Sequence, residues 1–238
     1  MTQNIEFILS FASAKKLIST DSSASLKEVY TKMLYEEVSL VPIIDNNNKK
    51  HVGLYRRKKL FEWFIKNSNK EIESVPKSYF KENPLPAVDM QTSLKEAMLL
   101  LHNNSAILVK NNDGSYTHLI TPRVIANALE EYAVRFMVYE SLEKTIRKKI
   151  TDNNILINLM SSSNPNLPFP KNPNELMFSQ YITIFSKKWE ELQMSHLDKK
   201  TILSLLTSAN EYRNNLMHFR LDDKIQGLED AKKLIHIL

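Results

Sequence analysis

The sequence predicts an α+β chain in which two α/β repeats are followed by an all-α bundle. Three observations carry this. A helix, two short apolar strands around a polar hairpin loop, and another helix follow one another twice before residue 128. From Val124 to Ile150 the chain holds neither glycine nor proline, so one long helix fits there. Every later periodic segment has helical spacing. The chain has 238 residues, 42% hydrophobic and 25% charged, which is ordinary for a folded soluble protein with one large core or two small ones.

Each repeat opens on a capping box, "SLKEVYTKM" from Ser25 and "SLKEAMLLL" from Ser93. The serine accepts from the third helical amide, and Glu28 or Glu96 reaches back to the cap amide. Leu26, Val29 and Met33, then Leu94, Ala97 and Leu101, continue as apolar stripes. The strands "LVPIID" (40–45) and "SAILVK" (105–110) follow, each running into a polar loop, "NNNKKH" or "NNDGSY". The return strands are "HVGLY" and "THLIT". The closing helices are "RKKLFEWFIKN" and the one begun by "PRVIANAL", where Pro122 suits a first helical turn. The segment 71–90 contains prolines and no period, and reads as the connection between copies.

On the long helix, Leu129, Ala133, Phe136, Met137, Leu142, Ile146 and Ile150 keep close to one face and are expected in the core. Such a helix would link the two halves rigidly. A loop rich in Pro, Asn and Ser (161–174) comes next. Helices are then expected over "ELMFSQYITIFSKKWEEL", "DKKTILSLLTSANEYRNNLMHFR" and "LEDAKKLIHIL". Trp63 and Trp189 sit at core spacing. The domains read as 1–128 (copies about 10–70 and 78–128) and 129–238.

Composition narrows the chemistry. The absence of cysteine excludes disulfides, thiol catalysis and Cys-zinc sites, and suits a reducing cytoplasm. Three scattered glycines exclude a Gly-rich phosphate loop. The six histidines show no ligand spacing, so no metal site is expected. The N-terminus lacks a signal-peptide pattern, and no run is apolar enough to span a bilayer. A net charge of +5 permits a polyanionic partner.

The twofold unit, clearest in "VPIIDNNNKKHVGLYRRKKL" and "AILVKNNDGSYTHLITPRVI", resembles a tandem pair of CBS domains over roughly residues 10–128. The resemblance implies a regulatory module that takes an adenine nucleotide between the copies. The family has a Thr or Ser after the second strand and an Asp three residues on. Copy one instead places Arg56 and Lys59 there, and copy two places Thr121 and Val124. Thr121 keeps the hydroxyl that faces phosphate. Arg56, Arg57 and Arg123 offer charge for a more phosphate-rich anion.

The last candidate is "ANEYRNNLMHFR" (209–220). Ile202, Leu205, Ala209, Tyr212, Leu216 and Phe219 form the expected core stripe, which leaves Glu211, Asn214, Asn215 and His218 on the other side. Asn214 stands four residues before His218, where its amide can orient the imidazole. Arg213 and His218 are five apart, which on a helix is about 140° and about 7.5 Å. One helix therefore does not clasp a small group between them, and a second copy about a two-fold axis would complete a cleft. "RNNLMH", together with Glu143 and Arg147 of "FMVYESLEKTIRKKI", resembles the HEPN domain over roughly 125–238. That resemblance implies metal-independent RNA cleavage by a homodimer, of the kind found in toxins and antiviral defence, with an antitoxin or other partner protein. Arg213 would stabilise the phosphate, His218 would move a proton and Asn214 would position them, with Glu143, Arg147 and Asn215 in support. The leading expectation from the two resemblances is therefore a ligand-regulated ribonuclease. The alternative is a non-catalytic nucleotide- or RNA-binding sensor or scaffold that recruits a partner, since the family also has members that bind without cutting.

Overall fold

Ser25 and Ser93 start helices in the computed structural model, which describes residues 3–11, 16–45, 49–67, 70–155, 172–218 and 225–238. The chain divides into two units, Met1–Leu129 and Glu130–Leu238. The first runs α1 (Ile5–Phe11), α2 (Leu26–Tyr35), β1 (Leu40–Asp45), β2 (Lys50–Arg56), α3 (Arg57–Lys66), α4 (Lys77–Phe80), β3 (Ala87–Asp89), α5 (Leu94–Asn103), β4 (Ile107–Lys110), β5 (Tyr116–Ile120) and the start of α6 (Pro122–Asp152). At α2 both halves of the capping box are made: Ser25 Oγ accepts the Glu28 N–H at 3.2 Å and Glu28 Oε2 accepts the Ser25 N–H at 2.7 Å. Ser93 Oγ accepts the Glu96 N–H at 3.2 Å.

The hairpins pair as their patterns predict, β1 antiparallel to β2 and β4 antiparallel to β5. Gly114 turns the second hairpin with a φ of 81°, a conformation other residues adopt at a cost. The first hairpin's tip, 46–48, lies outside the described residues. Each hairpin also gains a parallel neighbour that the sequence reading lacks. Thr20 bridges Ile43 of β1, and β3 pairs with β4. The segment 71–90 is therefore more than a connection. It carries a 3-10 turn at Ile72–Ser74, α4 and β3, and it buries Ile72 and Phe80 in the first repeat's core.

The leading segment of each copy also reaches the other copy's hairpin. The Glu82 N–H donates to Leu54 O at 2.8 Å and the Leu54 N–H to Glu82 O at 3.2 Å. In the reciprocal place the Leu17 N–H donates to Thr117 O at 3.0 Å. Each hairpin edge is thereby covered by the other repeat, which removes an exposed strand edge. Leu40 and Leu54 of the first hairpin pack with Ala106, Leu85 and Leu119 of the second repeat. The other face of β1 and β2 gives Val41, Ile43 and Tyr55 to a core with Leu26, Val29 and Met33 of α2, and Leu60 and Trp63 of α3.

Two histidines in this unit are desolvated without full pairing. His51 Nε2 lies 2.7 Å from Gly53 O and its ring meets Tyr116 edge-on at 6.1 Å. Among the described residues the Nδ1 atoms of His51 and His118 are buried with no atom in hydrogen-bond geometry. Burial holds both pKa values below 6.5. A His with a depressed folded pKa leaves stability unchanged above its ordinary value. As pH falls below 6.5, the unfolded chain takes up protons that the folded one refuses, and stability drops until the folded pKa is passed. The urea midpoint is expected to fall between pH 7.5 and 5.5, and by less in the His51→Gln/His118→Gln double variant. Equal falls in both proteins would refute this origin. The aspartates with shifted values, Asp113, Asp198 and Asp230, titrate below 3.8 and stay out of that window.

The second unit holds the rest of α6, a 3-10 turn at Pro173–Glu175, α7 (Phe178–Lys187), α8 (Lys199–Met217) and α9 (Gln226–Ile237). Its core draws Leu142, Ile146 and Ile150 from α6, Tyr181, Ile184 and Phe185 from α7, and Leu228, Ala231 and Leu234 from α9. A Cβ at Gly227 would lie 2.5 Å from Tyr212 Cβ, so α8 and α9 meet there backbone to side chain. Trp63 and Trp189 are buried, as their spacing predicts.

Four expectations change. On α6, Leu129, Ala133, Phe136 and Met137 are exposed, and Tyr139 with Leu142, Ile146 and Ile150 forms the buried row. The apolar residues of α6 surround more than one face, and periodicity does not choose between them. On α8, Leu206 is fully buried whereas Leu205 is only half-buried. The helix predicted over 175–192 spans only Phe178–Lys187, and 188–197 are turns, bends and irregular chain. His218 is the C-cap of α8 rather than a residue within it. Phe219 and most of the loop 161–174 lie outside the described residues.

Candidate functional site

In the first unit the four predicted ligand residues stand at two hairpin–helix junctions. Arg56 ends β2. Its Nε donates to Glu82 Oε1 at 3.1 Å, and its Nη2 to Glu82 Oε2 at 3.1 Å and Ser105 Oγ at 2.9 Å. The guanidinium expected to attract an anion thus already holds a carboxylate. The cause is the backbone pairing of Leu54 with Glu82, which sets that carboxylate beside β2. Arg57 is the first residue of α3 and its N–H donates to Ser39 O at 2.9 Å. Thr121 precedes α6 and its Oγ1 accepts the Val124 N–H at 3.3 Å. Its hydroxyl proton stays available to a ligand. Arg123 is exposed in the first turn of α6. Among the described residues no hydrogen bond or ion pair joins Arg56 or Arg57 to Thr121 or Arg123.

The second unit brings three of the predicted residues together. Arg213 Nε donates to Glu143 Oε1 at 2.9 Å, and Arg147 Nη2 donates to Glu143 Oε2. Arg147 Nε donates to Tyr181 Oη at 2.8 Å, and that hydroxyl donates on to Pro173 O at 3.3 Å. The Arg213 guanidinium carbon lies 5.8 Å from the Phe178 ring centre, within cation–π range. Glu143 therefore does more than pair with Arg147 along one helix. It fixes two guanidiniums from different helices. Its side chain is 15% exposed and those of Arg147 and Arg213 are 27% exposed.

The geometry leaves Arg213 poised. Its Nε is committed to Glu143 and its face to Phe178, while among the described residues nothing accepts from its two Nη groups. An arginine held from behind, with Nη donors directed elsewhere, suits bidentate recognition of phosphate or carboxylate. Beside it lies a cavity of about 270 Å³. Phe136, Tyr139 and Met217 give its apolar wall, and Glu140, Glu143, Arg147 and Arg213 its charged side. Burial raises the pKa of Tyr139 and Tyr181, so both remain neutral phenols. Tyr139 Oη donates to Gly227 O at 3.0 Å, which anchors the wall to α9.

The other predicted residues stand apart from this cluster. His218 is exposed at the end of α8, and Met217, four residues after Arg213, shares its face instead. Asn214 is exposed and Asn215 half-buried. The hydrogen bond between Asn214 and His218 runs from the His218 N–H to Asn214 O at 3.0 Å, through backbone rather than through the amide. Among the described residues no hydrogen bond joins the Asn214 amide to the His218 imidazole. Sequence reasoning missed Phe136, Glu140, Tyr181, Phe178 and Met217. Phe136 and Glu140 stand seven and three residues before Glu143, and Met217 four after Arg213, so helical spacing from the predicted residues was the signal. Among the described residues no group of three His, Asp or Glu side chains is placed to hold a metal ion. Among them, too, no helix is long and apolar enough to cross a membrane.

The CBS domain family model matches residues 11–66, so the reading of the first repeat stands on sequence as well as on pattern. No curated protein matches the sequence. Among solved structures, a CBS-domain protein from Agrobacterium tumefaciens is 12% identical over 54% of this chain and 94% of its own, with a TM-score of 0.44. One from Bacillus anthracis is 14% identical over 54% and 93%, at 0.41. The structure of CBSX2 in complex with AMP is 18% identical over 54% and 97%, at 0.40.

Proposed function

We propose that this protein is a nucleotide-responsive sensor. Residues 1–128 form a tandem CBS-type module for an adenine nucleotide or a more phosphate-rich anion. Residues 129–238 form a HEPN-like unit that binds the phosphates of RNA. The observation that carries the second half is Arg213, held by Glu143 and Phe178 with its Nη groups unpartnered among the described residues beside an open cavity. The first half rests on the family match and on Thr121, whose hydroxyl keeps a proton to donate. Because Glu82 holds Arg56, the Thr121 and Arg123 junction is the more accessible anion site.

A second reading keeps the same residues and adds catalysis. His218 is exposed five residues beyond Arg213, where a second copy about a two-fold axis would bring an imidazole to the phosphate. In that reaction the 2′-oxygen bonds to phosphorus and the bond to the 5′-oxygen breaks. The 2′-hydroxyl proton is taken up and the 5′-oxygen is protonated, leaving a 2′,3′-cyclic phosphate and a 5′-hydroxyl.

One experiment separates the two. Wild type, Arg213→Ala and His218→Ala are titrated against labelled single-stranded RNA in EDTA, and the RNA is examined for cleavage. Binding weakened about tenfold or more by Arg213→Ala, with intact RNA, supports the sensor. Cleavage lost in both variants supports the nuclease. Unchanged binding in Arg213→Ala refutes the phosphate role. Sedimentation at micromolar concentration tests the shared cleft, which a monomer excludes. A thermal-shift screen with adenine nucleotides tests the first half, and Thr121→Ala is expected to abolish any shift.

A further inference from the structure

We infer that the cavity beside Arg213 receives one unpaired nucleotide, its base seated on Phe136 and Met217 while its phosphate meets the Arg213 Nη groups. This rests on the reading of Arg213 as a phosphate-binding residue and adds what the phosphate is attached to. Four observations support it. First, both helices carry charge and apolar surface on the same face. On α6 the cavity residues run Phe136, Glu140, Glu143, Arg147, and on α8 they are Arg213 and Met217. A step of four helical residues is about 6 Å. A ligand that is anionic at one end and flat and apolar at the other, with a short spacer between, matches that layout.

Second, of the two aromatic rings lining the cavity, Phe136 is the one with no ring or cation contact among the described residues. It is 45% exposed. Phe178 is already covered by the Arg213 guanidinium, and Tyr139 is stacked on Tyr212 with ring centres 6.1 Å apart. Third, the cavity holds about 270 Å³, just under the roughly 300–1,000 Å³ of pockets for drug-sized molecules. That suits a single nucleotide and excludes a duplex. Fourth, the cavity's two carboxylates are already matched. Glu143 serves two arginines and Glu140 holds Lys144 at 2.7 Å, so the Arg213 Nη donors remain for an anion. Stacking on aromatic side chains is how proteins hold unpaired bases without reading sequence.

The test uses the full chain and three probes of equal length: single-stranded RNA, the same strand with abasic residues, and the duplex. Wild type is expected to bind the base-bearing strand about tenfold or more tighter than the abasic strand, and the duplex no better than the abasic one. Phe136→Leu, apolar but without a ring, is expected to erase that preference, and Phe136→Trp to keep it. Val134→Ala, at an exposed apolar position outside the cavity, is the control and keeps it as well. Equal affinity for base-bearing and abasic strands overturns the inference, as does a preference that survives Phe136→Leu. If Arg213→Ala leaves the abasic strand's affinity unchanged, the underlying phosphate reading fails instead, so the two failures are distinct.

Discussion

Glu143→Ala is expected to lower the stability of the second unit by about 2–3 kcal/mol and to make that stability dependent on phosphate or sulfate. The carboxylate is 15% exposed and takes hydrogen bonds from Arg213 and Arg147 on different helices. Removing one partner of a buried pair costs about 3–5 kcal/mol, because the remaining charge stays desolvated. Here both guanidiniums are 27% exposed, and water recovers part of that loss. The substitution also raises the local charge by one, which on its own attracts anions. Two effects then compete at the cavity: stronger attraction and lost orientation of the Arg213 Nη groups. An anion that takes the place of the carboxylate relieves the repulsion between the arginines, so added phosphate is expected to stabilise Glu143→Ala more than wild type. Trp189, buried in this unit, reports its unfolding, and a Trp63→Phe background silences the first unit. A variant as stable as wild type, or one indifferent to phosphate, would show that Glu143 is a surface partner and not the buttress of Arg213.

The elements whose signals are local were legible from the sequence. The serine–glutamate spacings placed α2 and α5, the alternating runs placed the hairpins, and Pro122 marked the start of α6. What escaped depends on contacts distant in sequence. The bridges from Glu82 to Leu54 and from Leu17 to Thr117 leave no periodic trace, because each involves only a residue or two of extended chain. The Glu82 bridge decides the fate of Arg56, which reads as a free cation in sequence and is neutralised in the structure. At the candidate site the charged members Glu143, Arg147 and Arg213 were found, because their spacing resembles a family pattern. Phe136 and Met217 were not, because an apolar residue on an amphipathic helix reads as core until the partners of that helix are known. His218 shows the reverse error. A helical wheel treats it as the next turn of α8, but the helix ends one residue before it.

The same limit fixes the second large effect, a comparison of Leu206→Ala with Leu205→Ala. Leucines stand at 203, 205 and 206, so spacing alone selects no single row. In the structure Leu206 is fully buried, in line with Ile202 and Ala209, while Leu205 is half-buried. Toward the end of α8 the buried row turns toward Tyr212 and Leu216, and the expected row ran this later direction back to Leu205. Truncating a fully buried leucine removes its transfer free energy and leaves a cavity, about 2–5 kcal/mol in well-packed cores. At Leu205 the missing atoms are partly replaced by water, and the loss is expected to stay below about 1.5 kcal/mol. Urea unfolding followed by Trp189 in the Trp63→Phe background measures both. Leu206→Ala is expected to shift the midpoint strongly at an unchanged slope, and Leu205→Ala weakly. The opposite order would return the core face to the row that includes Leu205. Arg213 would then turn with the helix, away from the Glu143 contact on which the phosphate site depends.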